Sequence, residues 1–263
     1  MTARFSLALR LRVALIIAVL LLLELYGRFF ADPAFMSPPS AIVRAFATRI
    51  VADPNILLAL AVCAGQIAAA YALAIVFGTI TGLLVGATRF SRTAFLPIVL
   101  LLFAIPQVSL LPLVILMFGL GPAAKIAFGF SHGVFPIILN VVAGMRDVKE
   151  LHLRAARSMG ASRLDTMRHV VLPHAVPSLF AGMRLGMTLT LLGVILAELY
   201  VSTGGIGYYT RLFAENFNPA PLFALVGSLA AIAILFNELV RVAERRLTPG
   251  KRRAPVLAKP VKR

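Results

Sequence analysis

The sequence predicts an all-α fold, a polytopic membrane bundle of about six transmembrane helices. Three observations carry this. Hydrophobic residues make up 60% of the chain and charged residues only 14%, where soluble domains hold roughly 45–50% and about 25%, and the mean hydropathy is +0.93. The apolar residues gather into runs of about 20, the length that crosses a hydrocarbon core of roughly 30 Å. Lysine and arginine crowd into alternate intervening segments, as basic residues that resist translocation do.

The expected spans are residues 13–30, a span within 56–85, then 95–118, 123–142, 176–200 and 221–240. The first follows Arg4, Arg10 and Arg12, like the apolar run of a secretory signal, but it continues through Leu25, Tyr26, Phe29 and Phe30. That is too long for such a run, and further spans follow it. The second is longer than a bilayer requires, so its first part is an interfacial helix or the span is strongly tilted. Pro97, Pro106, Pro112 and Pro136 are expected to bend the third and fourth spans, either as kinked structural helices or as the lining of an irregular pathway. Gly78, Gly82 and Gly86 recur every four residues, as do Gly182, Gly186 and the small Thr190. Each series puts a smooth stripe on one helix face, where another backbone can approach, which predicts helix packing.

Arg4, Arg10, Arg12, Arg89, Arg92, the basic residues between Arg146 and Arg168, and all those from Arg241 onward fall on one side of the membrane. Arg28, Arg44, Arg49, Lys125 and Arg211 fall on the other, which predicts cytoplasmic termini. Three regions result: 1–55, with an N-terminal cytoplasmic segment, the first span and an extracytoplasmic loop; 56–246, the main transmembrane domain with a cytoplasmic loop at 145–173; and a disordered basic tail, 247–263. The formal charge of +16 does not indicate nucleic acid, because the basic residues flank apolar runs and do not interleave with aromatics on a soluble face. They suit anionic lipid headgroups.

Catalytic chemistry is not indicated. Cys63 is the only cysteine, which excludes an intrachain disulfide and a Cys-based metal site. His132, His152, His169 and His174 share no metal-ligand spacing with carboxylates, so no metal is expected. Gly250-Lys251 has Arg245 where a phosphate-cradling loop needs its first glycine. No His-Glu-x2-His or nucleophile-elbow pattern is present. Arg184 and Glu198, near or within the fifth span, are costly in lipid and become candidates for the pathway or for a structural contact at an interface.

The loop between the fourth and fifth spans is the most informative segment. A short amphipathic helix is expected over about 149–159, ended by Gly160, which readily takes a left-handed conformation. Ser162 and Asp165 form a Ser-x-x-Asp capping arrangement that starts a second helix, with Pro173 after it. Leu151, Ala155, Ala156 and Met159 are available for contact. Such a helix–turn–helix is either a docking element for a partner's groove or a solvated interfacial loop.

The stretch Ala155-Ala156-x3-Gly160-Ala161-Ser162, followed by Val171-Leu172-Pro173 and Pro177, resembles the EAA motif of binding-protein-dependent ABC importer permeases. Asn140-x3-Gly144-Met-Arg, Gly182-Met-Arg-Leu-Gly186, Ala197-Glu198, Gly204-Gly-Ile-Gly207-Tyr and Pro38-Pro-Ser40 resemble the nitrate/sulfonate/taurine branch. Arg154 departs from the motif, standing where its Glu is usual. The resemblance implies the type I permease fold, in the inner membrane of a bacterium, and a non-catalytic transport subunit. It also implies a homodimer, an extracytoplasmic solute-binding protein, and cytoplasmic ATPase subunits that bind ATP and Mg while this chain binds no cofactor. Leu151, Arg154, Ala155, Ala156, Met159, Gly160, Ala161, Ser162, Leu172 and Pro173 are the implied ATPase-coupling residues. The substrate class it implies is a small anion, such as a sulfonate, taurine or nitrate, or a pyrimidine vitamin precursor. The alternative is an ion-coupled secondary transporter, for which no inverted repeat or pair of central carboxylates is evident.

Overall fold

A computed structural model describes residues 2–201 and 204–247, with side chains over 9–200 and 204–246. The described residues are helical and contain no strand. The tail expected to be disordered lies, from residue 248 on, outside the described residues.

The chain begins with α1 (Thr2–Phe29), then turns sharply into α2 (Pro39–Ala45). Pro38 and Pro39 cannot donate to a preceding helix, and Pro39 sits in the first turn of α2, where a missing N–H costs nothing. Ser40 fastens the turn: its hydroxyl donates to Glu24 Oε1 at 2.6 Å and its amide to Oε2 at 2.9 Å. Gly27 lets the strands of this turn meet, since a Cβ there would lie 3.0 Å from Pro38. The Pro-Pro-Ser signature is thus a hairpin closure.

After a π turn (Phe46–Val51) comes α3 (Pro54–Gly86), one continuous helix of 33 residues. At 1.5 Å per residue it is about 50 Å long, well beyond the apolar thickness of a bilayer. Its unbroken course removes the separate interfacial helix from the two expected readings of this segment. A turn capped by Thr88 and Ser91 leads into α4 (Arg89–Ala104).

The third expected span is broken, not merely bent. Ile105 is extended ahead of Pro106, as the residue before a proline is disposed to be. A 3₁₀ turn (Gln107–Leu110) and α5 (Leu111–Phe118) follow, and the two halves meet at 81°. By contrast Pro97 and Pro136 lie inside continuous helices, α4 and α6 (Pro122–Arg146).

Beyond α6 come α7 (Glu150–Ser158), α8 (Arg163–Thr166), a π turn (Met167–Val171), α9 (Leu172–Val201), α10 (Ile206–Glu215) and α11 (Pro219–Leu247). Pro173 does not end the second loop helix as expected. The π turn before it widens the helix, so the proline ring avoids the carbonyl it would otherwise strike, and the helix runs on into α9. By length and composition, four helices can cross a membrane, at Pro54–Gly86, Pro122–Arg146, Arg163–Tyr200 and Pro219–Arg246. The broken pair is a fifth candidate, and α1 occupies the place of the first expected span.

The chain forms two compact units interleaved in sequence: residues 1–69, 111–128 and 192–233, and residues 70–110, 129–191 and 234–263. The second unit is organised on α6. Val134, Ile137, Ile138, Val141, Val142 and Met145 are buried there with Ala74 and Val85 of α3, Val99 of α4 and Ala175 of α9. Both glycine stripes close on this helix. A Cβ at Gly78, Gly82 or Gly86 would lie 2.9, 2.7 or 2.6 Å from Ile137, Val141 or Met145, and one at Gly182 or Gly186 would lie 2.7 or 2.9 Å from Asn140 Cβ or the Gly133 carbonyl. Tyr71 adds a polar tie, its hydroxyl donating to the Met183 carbonyl at 3.0 Å.

These contacts leave no room for a branched side chain. Gly82→Val should lower the melting temperature of the purified, detergent-solubilised chain by the equivalent of about 1–3 kcal/mol. Gly65→Ala, where a Cβ meets nothing within 4 Å, should be neutral or slightly stabilising. Equal melting of the Gly82→Val variant and the parent would remove the stripe from the packing account.

Candidate functional site

The loop between α6 and α9 is built from short-range chemistry. Gly160 has φ +79°, a left-handed conformation. Its amide donates to the Arg157 carbonyl at 3.0 Å and the Ala161 amide to the Ala156 carbonyl at 3.0 Å. These are the paired bonds of a Schellman motif, which satisfies the last carbonyls of α7. Ser162 then caps α8. The Asp165 amide donates to Ser162 Oγ, and the Ser162 amide returns to Asp165 Oδ2, each at 3.1 Å. The Ser162 hydroxyl, followed by its amide, holds the Asp165 carboxyl below the usual carboxylate range. The capping contribution is therefore complete at neutral pH and is lost as pH falls through that lowered value.

This geometry sorts the loop residues. Leu151, Met159 and Leu164 are 72%, 80% and 76% exposed, and Ala155 lies between the first two on the outer face of α7. Arg154 is exposed on the same helix, 3.6 Å from Glu150. Ala156, expected among the contact residues, is instead 3% exposed. It faces inward because α7 packs on α8 and the following π turn, whose Met167 and Val171 reach the core around α6. Ala161 and Leu172 are half-buried and Pro173 is exposed. Leu164 was not among the expected contact residues. Its only signal is an apolar side chain one position before the capping Asp165.

The costly charges of the fifth span have partners within the chain. Lys125 Nζ donates to Glu198 Oε1 at 2.9 Å, with the two side chains 9% and 2% exposed. The other oxygen, Oε2, accepts the Gly207 amide at 3.0 Å. Gly205 (φ +91°) turns the chain back, and a Cβ at Gly207 would collide with the Glu198 carbonyl. Ala197-Glu198 and Gly204-Gly-Ile-Gly207 are therefore one clasp, a buried carboxylate holding the start of α10. Arg184 pairs with Glu244 of α11 through Nη1 and Oε2. Lys125 had counted only as a flanking charge, and a sequence separation of 73 residues gives a local pattern nothing to find.

Comparison with known proteins bears on the whole bundle. Residues 74–249 match the model of the family described as binding-protein-dependent transport system inner membrane component. The chain is 30% identical to the taurine transport system permease protein TauC of Escherichia coli over 222 residues, 83% of this chain and 81% of that protein. It is 26% identical to the nitrate import permease protein NrtB of Leptolyngbya laminosa, over 76% of this chain and 72% of that one. To the formylaminopyrimidine transport permease protein ThiX of Halalkalibacterium halodurans it is 24% identical, over 88% and 91%.

The clasp makes a double-mutant test decisive. Lys125→Met leaves a buried, uncompensated carboxylate and should cost about 3–5 kcal/mol, while Lys125→Met with Glu198→Leu should recover much of that loss. Thermal unfolding of the purified variants reads the result, and additive losses would mean that the two charges do not act as a pair.

Proposed function

The chain belongs to the family of binding-protein-dependent transport system inner membrane components, and on that premise we propose how this ABC importer permease couples and assembles. It takes its energy from a cytoplasmic ATPase through α7 and α8 and forms the translocation pathway with a second copy of itself. Family membership displaces ion-coupled secondary transport. The observation that carries the reading is the Leu151–Met159–Leu164 patch. Three large apolar side chains, each more than 70% exposed, stand on a helix pair whose turn is fixed by Gly160 and Ser162. A rigid apolar knob of this kind suits a groove on a partner. Ala156 would not touch that partner but would seat α7 on its own bundle. Arg154, replacing the motif's usual acid, would meet a complementary ATPase surface.

The broken span supports the dimer. Non-helical backbone is tolerated at membrane depth only where protein buries it or water lines it, yet Ile105 and Val108 beside the break are 40% and 50% exposed in the single chain. A second copy or an aqueous path, or both, would cover them. Residues 56–246 then form the transmembrane domain, with loop 145–173 and both termini cytoplasmic. A binding protein would deliver the substrate on the other side. ATP and Mg belong to the ATPase. The relatives named for taurine and nitrate transport make a small anion the proposed cargo, with a pyrimidine vitamin precursor as second choice.

Gly160 allows the coupling step to be separated from folding. Nothing lies within 4 Å of a Cβ placed there, so Gly160→Val acts only through its positive φ, costing on the order of 1 kcal/mol or somewhat more. Expression and dimerisation should stay near normal while ATPase copurification and uptake fall together. Ala155→Asp should behave alike, placing a charge on the apolar face. Arg154→Glu, which gives up an exposed pair worth only about 0.3–0.5 kcal/mol, should be mild. Full ATPase binding and uptake in both of the first two variants would dismiss the loop as coupling site.

Topology has its own test. Cysteines introduced singly in 145–169 should resist an impermeant thiol reagent in intact cells, and those introduced in 206–218 should react. The reverse pattern would invert the proposed orientation.

A further inference from the structure

Beside α7 and α8 lies a groove of about 1010 Å³, walled by the α3–α4 turn, the last turn of α6 and the two loop helices. Four arginines line it: Arg89 and Arg92 from the first turn of α4, Arg157 from α7 and Arg163 from α8. Among the described residues the only acid in the lining is Glu150, engaged by Arg154 at 3.6 Å. Among the described residues none of the four arginines forms an ion pair. Gathering like charges in one groove is unfavourable without a counter-ion, and guanidinium forks match phosphate oxygens two at a time. The amino end of α4, capped by Thr88, lines the same groove and adds to the positive potential.

We propose that this groove binds the phosphate of an anionic phospholipid. The lipid source follows from what adjoins the arginines. Phe90, next to Arg89, is 80% exposed, and α4 continues with Phe95, Ile98 and Leu102 at 50%, 51% and 48%, at spacings that line one helix face. A ligand phosphate held by the arginines would have its acyl chains on that apolar stripe. Basic pockets against membrane helices recognise acidic headgroups in this way. Such a lipid would brace α7 and α8 from one side, touching the outer patch at Leu164, which also lines the groove, and leaving Leu151 and Met159 free. The site goes beyond the transport reading; its lipid test is made on the permease alone, with ATPase copurification as a separate arm.

The test uses the full-length permease in nanodiscs of equal phosphatidylcholine and phosphatidylglycerol, with the lipids retained on release read by native mass spectrometry. The parent should enrich phosphatidylglycerol by roughly tenfold. Arg89→Gln with Arg157→Gln should bring this close to parity. Arg89→Lys with Arg157→Lys, which keeps charge but not the fork, should fall between and carries the test if the glutamine pair fails to fold. Lys251→Gln with Arg252→Gln and Arg253→Gln, in the basic tail, should keep the enrichment. Unchanged enrichment in the folded groove variant, or its loss in the tail variant, would overturn the proposal. Displacement of the lipid by millimolar glycerol 1-phosphate would overturn the lipid source in favour of a soluble phosphate. Loss of ATPase copurification with enrichment intact would give the groove to the ATPase instead.

Discussion

Close approach of backbones around α6 is the constraint on which the rest depends. Inside a bilayer, apolar side chains gain nothing by leaving lipid for protein, so helices associate through close van der Waals fit and a few polar ties. The glycines of α3 and α9 supply that fit by removing the side chains that would hold the helices apart. Because α6 is gripped from both sides, its end is a fixed platform. Val148 is buried just beyond it, and α7 begins two residues later. The far side of the same loop flows into α9 through a π turn whose Met167 and Val171 return to the α6 core. The loop of α7 and α8 is therefore anchored in two packed helices at once.

Charges are handled differently from apolar surface, and each has a local solution. Glu198 is buried because it receives both an ammonium and a backbone amide, so its desolvation is offset by two directed contacts. Arg184 and Glu244 sit at a partly exposed site where the cost is lower. Arg89, Arg92, Arg157 and Arg163, which line the groove beside the loop helices, form no ion pair among the described residues. The gradation runs with solvent access, from a clasp held by an ammonium and an amide in the interior to groove arginines that form no ion pair among the described residues.

How much of this was legible in the sequence depended on range. Gly160, Ser162 and Asp165 were readable because their contacts span at most five residues and their chemistry admits few conformations. The glycine stripes were readable as smooth faces, although which helix they meet was not. Two features misled. Pro106 broke a span where Pro97 and Pro136 did not, since its neighbour Ile105 takes the extended conformation and a 3₁₀ turn follows. Pro173 was absorbed by a widened turn that no local pattern announces. Lys125 with Glu198, and Arg184 with Glu244, join residues 73 and 60 positions apart, so only the folded bundle reveals them. Ala156 shows a finer limit: on a nine-residue helix, periodicity cannot say which of two adjacent alanines faces home.

The clasp also imposes an order on biosynthesis. Lys125 leaves the ribosome 73 residues before Glu198, an interval of roughly 4–15 s at about 5–20 residues per second. During that interval the ammonium has no carboxylate, and a lone cation within an apolar segment is held out of the hydrocarbon. The clasp, and with it the hold on the start of α10, can therefore close only once Glu198 of α9 has been made. Closure of this contact is thus timed by a residue still untranslated when α6 emerges.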